Sequence, residues 1–430
     1  MHQPKLLALS LALVVSLVSA VPTFAQIEPA PSGAPQGAPP GAPQGESDIS
    51  TNAQFAAIVD YDTGTLLFSK SANEQMIPAS MAKLITVAIM FHKLKHAELK
   101  LDDTFTVSEK AWRLSVVGKN ESSKMFLSIG SQVRVEDLLR GIIIQSGNDA
   151  CTVVAEHFSG SEEAFAEFMN AEAKRIGMTN SVFKNANGLP HPDMHVTAHD
   201  LAILAAYLIR EYPEYYHYFS EREFTWNKIK QGNRNLLLGT YPGVDGLKTG
   251  HTAESGYGMV ASALVEGRRL IVVVNGLKSD AERAAEAKRL LDIGFREFKP
   301  YNLFSKNQVI EKAEVWAGDG DSVALVAAQD VKVLMRRSQR DTMKVVLSYD
   351  SPLVAPVKAG QRVGKLKITV AGLPDIEVPV AAGGDVEEGG FMTQIKLGVK
   401  GLISSSPESA PVSKDVSMTD TPSQAAQVHE

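Results

Sequence analysis

The sequence predicts an α+β protein: one antiparallel sheet covered by helices, with a helical lobe inserted into it, followed by a small β-rich domain. Three observations carry this. Segments with strand character open and close the first 300 residues. Apolar segments with helical spacing fill the middle. From Tyr301 onward, apolar and polar residues again alternate with period two, and glycines mark the turns.

Taken in order, Lys5, the apolar run 6–21 and the small residue Ala25 read as a secretory signal peptide over residues 1–25. Residues 26–46, rich in Pro, Gly, Ala and Gln, cannot bury a core and read as a disordered leader. A first folded domain is expected over residues 47–300. In it, residues 53–60 and 65–69 flank Asp62-Thr63-Gly64 as a hairpin. Helices are expected over 135–145, 149–158, 164–176 and 197–210, the last capped by Thr197. Residues 256–265 and 269–275 read as a second hairpin about Glu266-Gly267, and 280–298 as a closing helix. The β-rich domain is expected over 301–385. Residues 386–403, with Phe391, Ile395, Val399 and Leu402 on one face, read as an amphipathic membrane-surface helix weakened by Gly398 and Gly401. The polar stretch 404–430 is expected to be disordered.

The formal net charge is −6, and removing residues 1–25 takes away one lysine, giving −7. Nucleic-acid binding needs a basic surface and is excluded as the main activity. Cys151 is the only cysteine, so no intrachain disulfide is available; within an apolar run it reads as a small core residue.

Chemistry concentrates in three stretches. In Pro78-Ala79-Ser80-Met81-Ala82-Lys83, a hydroxyl and an amine stand at i and i+3 where a helix begins, and the residues that follow are apolar on every side. That suits a nucleophile and its base, although Ser80 and Lys83 alone read equally as an N-cap and a snorkelling lysine. Gln145-Ser146-Gly147-Asn148-Asp149 is a polar turn between two apolar helices, and by itself it reads as an ordinary connection. Val244-Asp245-Gly246-Leu247-Lys248-Thr249-Gly250-His251-Thr252 enters a strand. There Lys248 brings a fixed positive charge, Thr249 a hydroxyl, and Gly250 room for another backbone; alone it is a solvated strand end.

In this order and together, Ser80–Lys83, Ser146-Gly147-Asn148 and Lys248-Thr249-Gly250 resemble the motif set of the serine penicillin-recognising enzymes. With Asn187-Gly188-Leu189 and His195-Val196-Thr197-Ala198-His199-Asp200-Leu201, the chain from about residue 50 to 385 resembles the low-molecular-mass penicillin-binding proteins that act as D-alanyl-D-alanine carboxypeptidases. The resemblance implies the serine β-lactamase-like fold for 47–300. It implies removal of the terminal D-alanine from peptidoglycan stem pentapeptides through a Ser80 acyl-enzyme, with penicillins acylating the same serine. Lys83 would accept the proton, Ser146 would relay it, and Asn148 would hold Lys83 or the substrate amide. Lys248, Thr249, Gly250, His251 and Arg283 would bind substrate, and the backbone N–H groups of Ser80 and His251 would form the oxyanion hole.

Lys83 must then be neutral, against an ordinary pKa of about 10.4; burial and Lys248 both push it down. The reaction implied needs no cofactor and no metal, so His191, Asp193, His195 and His199 are read as lining a loop rather than as metal ligands. The expected partners are stem peptides and β-lactam antibiotics, with peripheral membrane contact through the C-terminus, and the expected location is the periplasm. Two other classes share the motifs. A β-lactamase needs a glutamate-held water, and residues 173–210 contain no glutamate. A non-catalytic wall-binding protein would have lost part of the set, and all three motifs are intact.

Overall fold

The computed structural model describes residues 49–116, 123–390 and 409–416. The signal peptide, the leader and most of the expected membrane-surface helix fall outside the described residues. The chain enters the sheet with β1 (Phe55–Asp60) and β2 (Leu66–Lys70), then turns into α1 (Lys83–Lys95). The inserted lobe contains β3 (Thr104–Thr106), α2 (Glu109–Val116), β4 (Gln132–Arg134), α3 (Val135–Ile143), α4 (Asn148–Ser159) and α5 (Glu162–Ile176). After α6 (Ala198–Glu211), α7 (Pro213–Tyr216) and the ribbon β5 (Glu223–Trp226) and β6 (Ile229–Gly232), the chain returns as β7 (Val244–Thr252), β8 (Gly256–Val265) and β9 (Arg268–Leu277). The sheet order is β2-β1-β9-β8-β7, antiparallel throughout.

Alternation along these strands fills two cores. Ala57, Val59, Val260, Ile271 and Val273 face the helical lobe with α1, α3, α4 and α6. Ala56, Ile58, Met259, Val272 and Val274 face the other way, onto α8 (Asp280–Glu297). Thr197 accepts a bond from the Asp200 N–H and caps α6. Ser279 caps α8 in the same way through Glu282.

The second core runs on into the β-rich domain, which begins at Phe298, three residues earlier than expected, because β10 (Phe298–Phe304) follows α8 without a linker. The domain continues with β11 (Val309–Trp316), β12 (Ser322–Ala327), β13 (Val331–Arg336), β14 (Lys344–Ser351), β15 (Leu353–Val354), β16 (Arg362–Thr369) and β17 (Ile376–Ala382).

Its end corrects two expectations. Val386 bridges Val357 and Glu388 bridges Gly318, so residues 386–390 extend along this domain and do not begin a helix. Within the polar stretch 404–430, Ala410–Asp415 is an edge strand, β18, antiparallel to β14. Val412 turns onto the core. The Val416 N–H donates to Val345 O at 2.8 Å. That sets the bonded pairs at alternate positions and leaves Pro411 opposite Asp350, where no N–H is needed.

Candidate active site

Ser80 lies in a 3-10 turn, Ala79–Ala82, that leads directly into α1, rather than at the first turn of an α-helix. Ala79, just before it, has φ 47°, a left-handed conformation that is strained for a residue with a Cβ. Two close approaches hold the turn in place. A Cβ on Gly188 would meet Ala79 O at 1.9 Å, so the loop after Asn187 lies directly on the turn. A Cβ on Gly250 of β7 would meet Pro78 O at 2.9 Å and Ala79 Cβ at 3.2 Å, so the sheet edge closes on it from the other side.

Lys83 is fully buried. Its Nζ lies 2.8 Å from Ser80 Oγ and 2.8 Å from Asn148 Oδ1, and it also donates to Asn187 O. Burial first, and the nearby Arg234, bring its pKa down to about 8, against the opposing pulls of Cys151 and, less, Asp149. Lys248 is 3 % exposed, its Nζ donating to Thr249 O at 3.1 Å. Burial, then repulsion from Lys83 and Arg234, hold its pKa well below the ordinary lysine value, so its charge is not fixed as the sequence suggested. The two ammonium groups compete, and the repulsion between them bears on Lys248.

Ser146 stands at φ 62° in the turn before α4; its Oγ is buried with no hydrogen-bond partner among the described residues. Asn148 opens α4 and reaches Lys83. Thr249 is buried beside Lys248, and the exposed His251 ring stacks on Tyr257 at 3.9 Å. Arg283 is buried on α8, its guanidinium 5.7 Å from the Tyr257 ring centre, paired with Asp280 and bonded to Arg234 O at 3.4 Å. Burial lowers its pKa to about 10, and its Nε has no partner among the described residues. The structure thus groups Ser80, Lys83 and Asn148 by direct hydrogen bonds. Ser146 is not bonded to them, and Arg283 is already held by a carboxylate.

Three contributors were given no role from the sequence: the Asn187 carbonyl and Asp149, although both lie in the stretches quoted above, and Arg234. Arg234 could have been suspected from its place in Asn233-Arg234-Asn235, shortly before β7. Of the histidines, His191 Nδ1 accepts from the Asp193 N–H, and the His195 backbone bridges Val182. Among the described residues no group of three or more His, Cys, Asp or Glu side chains is arranged to hold a metal.

A sheet flanked by a helical lobe, with a serine and a buried lysine in contact at their junction, defines a serine acyl-transfer enzyme of the penicillin-recognising class. The family described as D-alanyl-D-alanine carboxypeptidase matches residues 42–279, and the one described as penicillin-binding protein 5, C-terminal domain, matches 298–388. The chain is 40% identical over 348 residues to D-alanyl-D-alanine carboxypeptidase DacC of Escherichia coli (strain K12), covering 80% of this chain and 87% of that one. It is 37% identical over 361 residues to DacA of Haemophilus influenzae, covering 82% and 91%. Among solved structures, penicillin-binding protein 5 from Haemophilus influenzae superposes with a TM-score of 0.69 at 37% identity, over 80% of this chain and 100% of that one. Ampicillin-bound penicillin-binding protein D2 from Listeria monocytogenes superposes with a TM-score of 0.52 at 27% identity, over 58% and 100%. The chain belongs to the D-alanyl-D-alanine carboxypeptidase family of serine peptidases, the low-molecular-mass penicillin-binding proteins.

Proposed function

We propose that Ser80 is the acyl-ester nucleophile of this carboxypeptidase and Lys83 its base. The observation that carries the assignment is the 2.8 Å contact between Lys83 Nζ and Ser80 Oγ in a pocket that brings the lysine to a pKa of about 8. A neutral Lys83 donates its two protons to Asn148 Oδ1 and Asn187 O, which turns its lone pair toward the Ser80 hydroxyl. Ser80 Oγ attacks the carbonyl between the two terminal D-alanines, and its proton passes to Lys83. The oxyanion sits on the N–H groups of Ser80 and His251. Ser146 relays a proton to the leaving amine, D-alanine departs, and water then hydrolyses the ester with Lys83 again accepting a proton.

Lys248 and Thr249 meet the substrate carboxylate; Gly250, expected to bind substrate, instead lets β7 close on the Pro78–Ala79 backbone beside Ser80. The arriving carboxylate favours the ammonium form of Lys248, and that charge in turn favours a neutral Lys83. Arg283 reaches the carboxylate only by exchanging Asp280. Export to the periplasm rests on residues 1–25, and peripheral membrane contact on 391–403; the N-terminal residue of the mature protein and the sedimentation of the full chain with anionic vesicles test the two. For the catalytic assignment, labelled penicillin is expected to attach to the wild-type protein and not to Ser80→Ala. Labelling that survives in the alanine variant refutes it.

A further inference from the structure

Asp149 has no part in the steps above, yet it is fully buried at the start of α4, next to Asn148. A carboxylate is costly to bury without partners. The partners here are neutral donors. Asp149 accepts from Ser115 Oγ at 2.6 Å, from the Met125 N–H at 2.9 and 3.0 Å, from the Leu127 N–H at 3.4 Å and from the Ala150 N–H at 2.9 Å. Ser115 Oγ also accepts from the Leu127 N–H at 3.0 Å.

The segment held in this way touches the site twice. Ser123 O accepts from the Asn148 N–H at 2.9 Å, and Ser123 Oγ accepts from Arg234 Nη1 at 2.6 Å. One residue beyond Met125, Phe126 O accepts from Asn227 Nδ2 at 3.2 Å, which ties the segment to the loop between β5 and β6. Residues 123–127 therefore run from α4 to the β5–β7 side of the cleft, and Asp149 is their anchor.

The same carboxylate matters electrostatically. Lys83 is faced from α4 by Asp149 and Cys151, from the loop before β7 by Arg234, and from β7 by Lys248. Burial pushes the Cys151 thiol up to about 12, so it stays neutral where the enzyme works. Glu162 of α5 lies further off, against Asn187 Nδ2 at 3.4 Å and paired with Lys110, so Asp149 is the carboxylate that bears on Lys83.

We propose that Asp149 is a positioning residue: it pins segment 123–127 across the cleft, holding Asn148 and Arg234 through it, and places a carboxylate near Lys83. This rests on Lys83 being the base. Asp149→Asn keeps the shape, removes the charge, and turns an amide N–H₂ toward backbone N–H donors. Ser115→Ala keeps the charge and removes one donor.

The experiment follows penicillin acylation of the full chain against pH, with hydrogen exchange at the Met125 and Leu127 amides. In Asp149→Asn the pH midpoint of acylation should fall, because an anion that favours the ammonium is gone, and both amides should exchange faster. In Ser115→Ala the Leu127 amide should exchange faster and acylation should slow, with the midpoint unmoved. An unmoved midpoint in Asp149→Asn overturns the proposal. If that variant does not fold, wild-type exchange and acylation in Ser115→Ala overturn it instead. Labelling of Ser80→Ala would bring down the catalytic assignment and this inference together, whereas an unlabelled Ser80→Ala with an unmoved Asp149→Asn midpoint removes this inference alone.

Discussion

The cleft and the β-rich domain treat lysine in opposite ways. In the β-rich domain, Lys365 pairs with Glu377 at 2.8 Å, Lys367 with Asp375 at 2.8 Å and Lys414 with Glu311 at 3.2 Å, all at the surface. In the cleft, Lys83 and Lys248 are buried and their ammonium groups face hydroxyl, amide and carbonyl oxygens. Exposed ion pairs are screened and contribute little. A buried lysine without an ion pair is costly, and it persists where its lowered proton affinity is used. The burden on the fold therefore marks the chemistry better than the number of charges does.

The sharpest way to break this contrast is Lys83→Met. Removing a positioned base should slow penicillin acylation by roughly 10²- to 10⁴-fold. The same variant tests the cost. With a folded pKa of about 8 and an unfolded value near 10.5, the unfolded chain binds the extra proton between those pH values. Wild-type stability relative to Lys83→Met should then rise as pH goes from 8 to 10.5, by up to about 3 kcal/mol in denaturant titrations. A difference that stays flat with pH would mean that Lys83 is not perturbed.

Next in size is Lys248→Gln. Loss of a charge-assisted bond to the terminal carboxylate, roughly 1.5–3 kcal/mol, should lower kcat/KM on an acid-ended peptide by about 10- to 100-fold. A C-terminally amidated peptide should lose much less. Equal losses on both would remove Lys248 from carboxylate binding.

The smallest effects on chemistry belong to the β-rich domain. Leu347 is fully buried there. Leu347→Ala should cost about 2–5 kcal/mol of stability and leave the rate of penicillin labelling of the folded protein unchanged. Lys365→Ala should change neither beyond error. A change in labelling rate with either would mean that this domain acts on the site.

Much of the site was legible because its motifs are local. Ser80 and Lys83 share one turn, Ser146 and Asn148 share another, and Lys248 to His251 share one strand. What was not legible came from contacts distant in sequence. The Asn187 carbonyl is 104 positions from Lys83 and carries no side-chain signature. Arg234 bears on the lysines from a connecting loop, and Asp149 acts through backbone N–H groups 22 to 24 positions away. The Asp280–Arg283 pair could have been read from its i, i+3 spacing on a helix. In the fold, strand and helix order was readable from periodicity. β18 was hidden because Val412 is the one residue of its six that packs against the core, and main-chain bonding to β14 leaves no compositional trace.

The most direct test of the claim that a buried lysine near neutrality drives the reaction is the pH dependence of Ser80 acylation by labelled penicillin, followed in the pre-steady state. Lys83 is active without its proton, so the rate should climb as pH rises and level off above a midpoint near 8, with the climb absent in Lys83→Met. A midpoint near the ordinary lysine value, or a rate that falls as pH rises through 8, would contradict the account.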